Sequence, residues 1–172
     1  MSGNTFGARY RSDTYILEPM GFDRRIVARC PNCGKYHLLS GAEWLDVETP
    51  PFPETKKMSD FQAIQDALAQ LDADGKLTRK TEGALRLRLL WASNNDKLRA
   101  NSPGADANRT ALLDLVEPNG YLRVELLREL GEFAAAGKLA RSVPKSDGWF
   151  GALPQIRKAV SSKLKAAFWL AS

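Results

Sequence analysis

Cysteine and histidine are scarce in this chain: Cys30, Cys33 and the single His37 in 172 residues. So few thiols exclude the disulfide framework that holds small secreted domains together, and leave reduced thiols or metal ligands as their use. One histidine means that most acid–base relays and nucleophile triads would have to pass through His37. Long apolar runs are missing as well. No stretch approaches the ~20 residues that cross a bilayer, and the opening MSGNTFGARYRSD has no hydrophobic signal segment, so a cytoplasmic location is expected. Neither G-x-x-x-x-G-K-S/T nor G-x-G-x-x-G occurs, which removes the common phosphate-loop nucleotide sites. Asp72-Ala73-Asp74-Gly75 begins like a calcium loop but lacks the closing glutamate, and reads as a turn between helices.

What is present is ordinary globular material. The chain is 44% hydrophobic and 26% charged, enough to bury a real core. The net charge of +5 is unevenly placed: Arg141, Lys145, Arg157, Lys158, Lys163 and Lys165 face a single acid, Asp147, towards the C-terminus. Solvation is the commoner use of surface lysines, and attraction of phosphates or an anionic membrane surface is the sharper one.

Three segments are expected: a knuckle-containing β unit over residues 1–48, a Pro-rich linker over 49–58 and an α-helical domain over 59–172. Thr14 to Leu17 and Ile26 to Ala28 are β-prone, and Tyr36 to Leu39 can run back beside the second of these as a hairpin. TPPFPETKK, with three prolines in nine residues, cannot sustain a helix. Beyond it Ser59 and Gln62 form a capping box, and Phe61, Ile64, Leu68 and Leu71 make the apolar stripe of a first helix. A second helix starts near Thr81 and runs past Trp91, with Ala84, Leu87 and Trp91 on one face and Leu85 and Leu89 beside it. Asn101 to Asn108 reads as a loop by its Pro-Gly and Asn content, followed by a short helix around Leu112. Leu122 to Leu130 and Phe133 to Ala140 then form an αα-hairpin around Gly131, a glycine where a helix C-terminus needs one. The stripe Leu153, Ile156, Val160, Leu164 and Phe168 gives a final, basic helix.

The strongest local signal is Cys30-Pro-Asn-Cys-Gly34, because a tight turn ending in glycine aims two sulfurs at one metal while backbone amides donate to them. A structural zinc site needs four ligands. Cys30, Cys33 and His37 supply three, so a carboxylate (Glu43, Asp46 or Glu48 are nearest), a water or a second chain would have to complete the shell. Two other readings stay open: a metal-free knuckle whose thiols pack as small hydrophobes, and a redox couple, for which the long helix that would lower a thiol pKa is missing.

The order CPNCGKYHLL, a proline linker, LRLRLLWASNND and LLDLVEPNGYLRVELLRELGEFAAAGKLA resembles a group of uncharacterised bacterial cytosolic proteins. In that group one CPxCG knuckle precedes a helical region with a tetratricopeptide-like hairpin. The similarity covers roughly residues 20 to 160, with Gly131, Phe133 and Ala136 at the positions that let the hairpin helices pack. It departs at His37, where the group has an aromatic or aliphatic residue. The resemblance implies architecture and a bacterial cytosol rather than an activity. The expectation is therefore a mainly α protein with a small N-terminal β-hairpin knuckle and one tetratricopeptide-like αα-hairpin. It is expected to be a non-enzymatic protein–protein interaction or scaffold protein, with zinc as the candidate cofactor and a homodimer as one way to share it. The alternative is nucleic-acid binding through the basic C-terminal helix, using Arg157, Lys158, Lys163 and Lys165.

Overall fold

The computed structural model describes residues 9–17, 27–38, 60–96 and 100–170. It is mainly helical, with four short strands: β1 (Arg9–Tyr10), β2 (Ile16–Leu17), β3 (Val27–Arg29) and β4 (Tyr36–Leu38). The helices are α1 (Asp60–Ala73), α2 (Arg79–Asn95), α3 (Pro103–Leu113), α4 (Tyr121–Leu130), α5 (Phe133–Leu139) and α6 (Leu153–Ser161). β1 pairs antiparallel with β2, and β3 with β4 in the register Val27 to Leu38, Ala28 to His37 and Arg29 to Tyr36.

The chain divides into two compact units, residues 23–92 and residues 1–22 together with 93–172, with the division falling inside α2. This departs from the expected sequence of a 1–48 unit, a 49–58 linker and a 59–172 domain. Residues 10–12, at and just beyond the end of β1, pair with residues 168–170 of the same unit. The linker and the capping residue Ser59 lie outside the described residues.

In the 23–92 unit Ile64, Leu68 and Leu71 of α1 pack with Leu85 and Leu89 of α2, joined by Phe61, Leu77, Val27 and Leu38. The α1 stripe is the one read from its spacing. On α2 the buried apolar residues are Leu85, Leu89 and Leu90, whereas Leu87 and Trp91 are half-buried and Ala84 is exposed. The knuckle hairpin is fastened to α1 by Gln70, whose amide oxygen accepts from the Tyr36 N–H at 2.8 Å and whose amide nitrogen donates to the Tyr36 carbonyl at 3.1 Å. One side chain thereby completes both main-chain positions of Tyr36, as a neighbouring strand would.

The second unit is a helical bundle. Its core joins Tyr121, Val124, Ala136, Ala140, Val143, Leu153 and Ile156, with Trp149, Val160 and Phe168 packed against it. Gly131 takes φ +89 at the end of α4, its N–H donating to the Arg128 carbonyl and that of Glu132 to Leu127, so α5 starts at once and the αα-hairpin closes. Ala136 is the alanine of its run that is buried, while Ala134 and Ala135 are exposed. Two expectations fail here. NSPGADAN is not a loop: Ser102 caps α3 by accepting from the Ala105 N–H at 3.2 Å, and Pro103 opens the helix, where its missing N–H costs nothing. The final helix stops at Ser161, because Lys163 adopts φ +53 and the Leu164 N–H turns back to the Ala159 carbonyl. Residues 168–170 then run beside the first strand: Leu170 donates to Tyr10, Ser12 to Phe168, and Phe168 to the Ser12 hydroxyl. Lys163 and Lys165, expected on the basic helix, lie beyond it.

Candidate metal centre

β3 delivers Cys30 to the start of the turn and β4 takes the chain away through His37. The turn is closed by the Gly34 N–H on the Cys30 carbonyl at 2.9 Å and the Cys30 N–H on the Lys35 carbonyl at 2.8 Å. Gly34 sits at φ +71, a conformation that L side chains rarely adopt, and its carbonyl accepts from Arg29 Nε at 2.9 Å. The turn thus needs the glycine that the motif supplies.

The structure brings the three residues singled out in the sequence together. Cys30 Sγ, Cys33 Sγ and an imidazole nitrogen of His37 all lie within 4.8 Å of one another, close enough to hold a metal ion. Tetrahedral zinc, with bonds of about 2.3 Å to sulfur, places its sulfurs about 3.8 Å apart, a separation that falls within this limit. Both cysteines are free thiols. The amides of Cys33 and Asn32, aided by the Cys33 thiol, hold the Cys30 thiol below its ordinary pKa. Those donors favour the thiolate, which is the form that ligates. Cys33 and His37 are exposed and Cys30 half-buried, so the centre opens to solvent. Among the described residues the group has three members; Glu43, Asp46 and Glu48 lie outside them.

A second cluster escaped the sequence reading. Arg11, Asp13, Arg109, Glu125, Arg128 and Glu129 are all buried in the bundle unit. Arg11 grips Asp13 through two bonds of 2.8 Å, Arg109 donates to Glu129 at 2.8 Å, and Arg128 forks onto Glu125 at 2.8 and 2.6 Å. Asn94 bridges Asp13 and Glu129 at 2.8 and 3.2 Å. Burial, followed by the neighbouring charge of Glu125, pushes the Glu129 carboxyl up to about 7 in spite of Arg109. Among the described residues every buried side-chain polar atom has a partner. These three arginines and three acids, with the more exposed Asp106 also pairing with Arg109 at 2.9 Å, form a lattice that ties residues 11–13 to α3, α4 and the end of α2. The sequence signal was Glu125, Arg128 and Glu129 at helical spacing within a leucine-rich helix; Asp13, in a turn far away in sequence, had none.

The described residues also line two open hollows. One, of about 250 Å³, lies between α1 and α2 beside Asp72, Glu82 and Arg86. The other, of about 430 Å³, is lined by Thr14, Tyr121, Arg123, Asp147 and Trp149. There Asp147 already accepts from the Tyr121 and Trp149 amides at 2.8 Å each, so its carboxylate satisfies the first free amide of α4. No helix among the described residues is long and apolar enough to cross a membrane. No family model, curated protein or solved structure matches the chain.

Proposed function

We propose that this chain is a non-enzymatic protein-binding module of the bacterial cytoplasm whose β3–β4 hairpin carries one zinc ion on Cys30, Cys33 and His37. The observation that supports it most is the convergence of two sulfurs and the chain's single imidazole within 4.8 Å at the end of a hairpin anchored by Gln70. Two thiolates and an imidazole form a soft, borderline donor set that suits zinc rather than calcium or magnesium. A reducing compartment keeps both thiols available. Three protein ligands leave a fourth position facing solvent, for a water, a carboxylate from Glu43, Asp46 or Glu48, or a second copy of the chain. Committing His37 to the metal removes the one histidine from proton transfer, which favours a structural or docking role over a catalytic one.

Cobalt titration of the full chain tests the zinc reading. Thiolate-to-cobalt absorption that saturates at one ion per site, is displaced by zinc, and is lost in Cys33→Ser and weakened in His37→Ala is the expected result. Equal cobalt spectra for the parent chain and Cys33→Ser would refute it.

A further inference from the structure

The stretch Lys138 to Lys165 holds seven cations, namely Lys138, Arg141, Lys145, Arg157, Lys158, Lys163 and Lys165, against the single acid Asp147. Its excess is larger than the +5 of the whole chain, so the remainder is slightly acidic. All seven are exposed. Asp147 is held by two backbone amides, and among the described residues none of the seven forms an ion pair with a carboxylate.

The fold brings several of these charges together where α5 and α6 pack. Arg157 of α6 donates to the Ala140 carbonyl at the end of α5 at 2.8 Å, which sets it beside Lys138 and Arg141. Gly137 of α5 faces Val160 of α6, where a Cβ would stand 3.5 Å from Cγ1. The Lys165 side chain crosses Gly131 at the α4–α5 corner, where a Cβ would stand 3.3 Å from its Cε. The end of α6 at Ser161 and the left-handed Lys163 just beyond it, which break up the basic helix expected from sequence, are what fold Lys165 back towards α4 and α5.

We propose that the α5–α6 layer binds the phosphate backbone of duplex nucleic acid. Duplex DNA presents about one negative charge per 1.7 Å of axis, a spread-out target that matches cations distributed over a layer rather than focused in a pocket. Five of the seven are lysines, compact point charges suited to phosphate contact without base readout. An inserting membrane segment is a poorer match: Leu153, Ile156 and Ala159 of α6 are buried, Phe168 and Leu170 pack on the core, and of the exposed Leu164 and Trp169 the indole is already engaged edge-on by Tyr15 and over its ring by the Arg11 guanidinium. A single strand is a poorer match too, since it needs aromatics free to stack: Trp149 and Phe150 pack against the core, and the exposed Tyr10 and Trp169 are edge-on to Trp149 and Tyr15. This inference does not depend on the zinc reading.

The test is fluorescence anisotropy of the full chain with a labelled mixed-sequence DNA duplex across a salt series. With four to seven phosphates neutralised, log affinity should fall against log salt with a slope of about −4 to −6. Arg157→Glu with Lys158→Glu should weaken binding at least about tenfold and make the slope shallower by about two. Lys76→Glu with Lys80→Glu, an equal change of net charge on exposed residues of the other unit, should bind within about threefold of the parent. Lys158→Gln with Lys165→Gln keeps the Arg157 bond to Ala140 and should also weaken binding with an unchanged thermal melt. Absence of binding at the lowest salt, a flat salt dependence, equal losses in both charge-reversed pairs, or tighter binding to polyglutamate or phosphatidylserine vesicles than to the duplex would each overturn the proposal.

Discussion

At Cys30 and Glu129 the same backbone and burial forces act in opposite directions on two acids. Amide donors stabilise the Cys30 thiolate, whereas burial beside Glu125 disfavours the Glu129 carboxylate. Metal uptake must displace whatever protons the ligands still carry, so a lowered Cys30 pKa extends binding to lower pH. On the zinc reading Cys33→Ser removes a proposed direct ligand and is expected to cost more than the about 10–100-fold that an outer-shell partner costs, measured by competition against a chromophoric chelator. Glu129 has the opposite sign in stability. Between its ordinary value of about 4.5 and its folded value of about 7 the native state keeps a proton that the unfolded chain has released, so this contribution is full below 4.5 and lost as pH rises through 7. The Glu129→Gln variant is expected to show a flatter decline in stability from pH 5 to pH 8, by on the order of 2 kcal/mol, in denaturant melts at the two pH values. A slope equal to that of the parent would refute this. The three knuckle residues were legible because their spacing is itself the geometry. Glu129 was not, because nothing local distinguishes a solvated glutamate from one sealed under Asp13 and Arg109.

Helix ends carry most of what separates the observed elements from the expected ones. Gly131 was readable because an apolar stripe stops there and a left-handed residue must follow; Gly131→Ala is expected to destabilise by about 1–2 kcal/mol, read from the thermal midpoint. Lys163 holds the same kind of position without a glycine, at φ +53, so Lys163→Gly should stabilise by about 1 kcal/mol. No sequence pattern announces such a stop, and the apparent continuity through Leu164 and Phe168 arises because Phe168 reaches the same core along an extended return. Ser102-Pro103 shows the converse error: its Pro-Gly content suggested a loop, but serine as cap and proline in the first turn start α3. Ser102→Ala is expected to cost about 1 kcal/mol in the same melts.

Across the whole chain, the mainly helical class and the knuckle hairpin followed from periodicity, whereas the division into units did not. Pairing of residues 10–12 with 168–170 is a contact between the two ends of the sequence, which no local pattern encodes. A fragment starting at residue 59, the boundary suggested by the prolines, would lose Ser12 from the Tyr121 hydroxyl and Asp13 from Asn94. It is expected to be less stable than the full chain by about 3–5 kcal/mol, the usual cost of removing one partner from a buried charged network. Zinc content per chain, measured together with mass in solution on protein purified without chelator, tests the proposed knuckle site most directly. One zinc per monomer, or one per two chains of a dimer, is the result expected. Less than about a tenth of a zinc per chain, unchanged after incubation with excess zinc and buffer exchange, would contradict it.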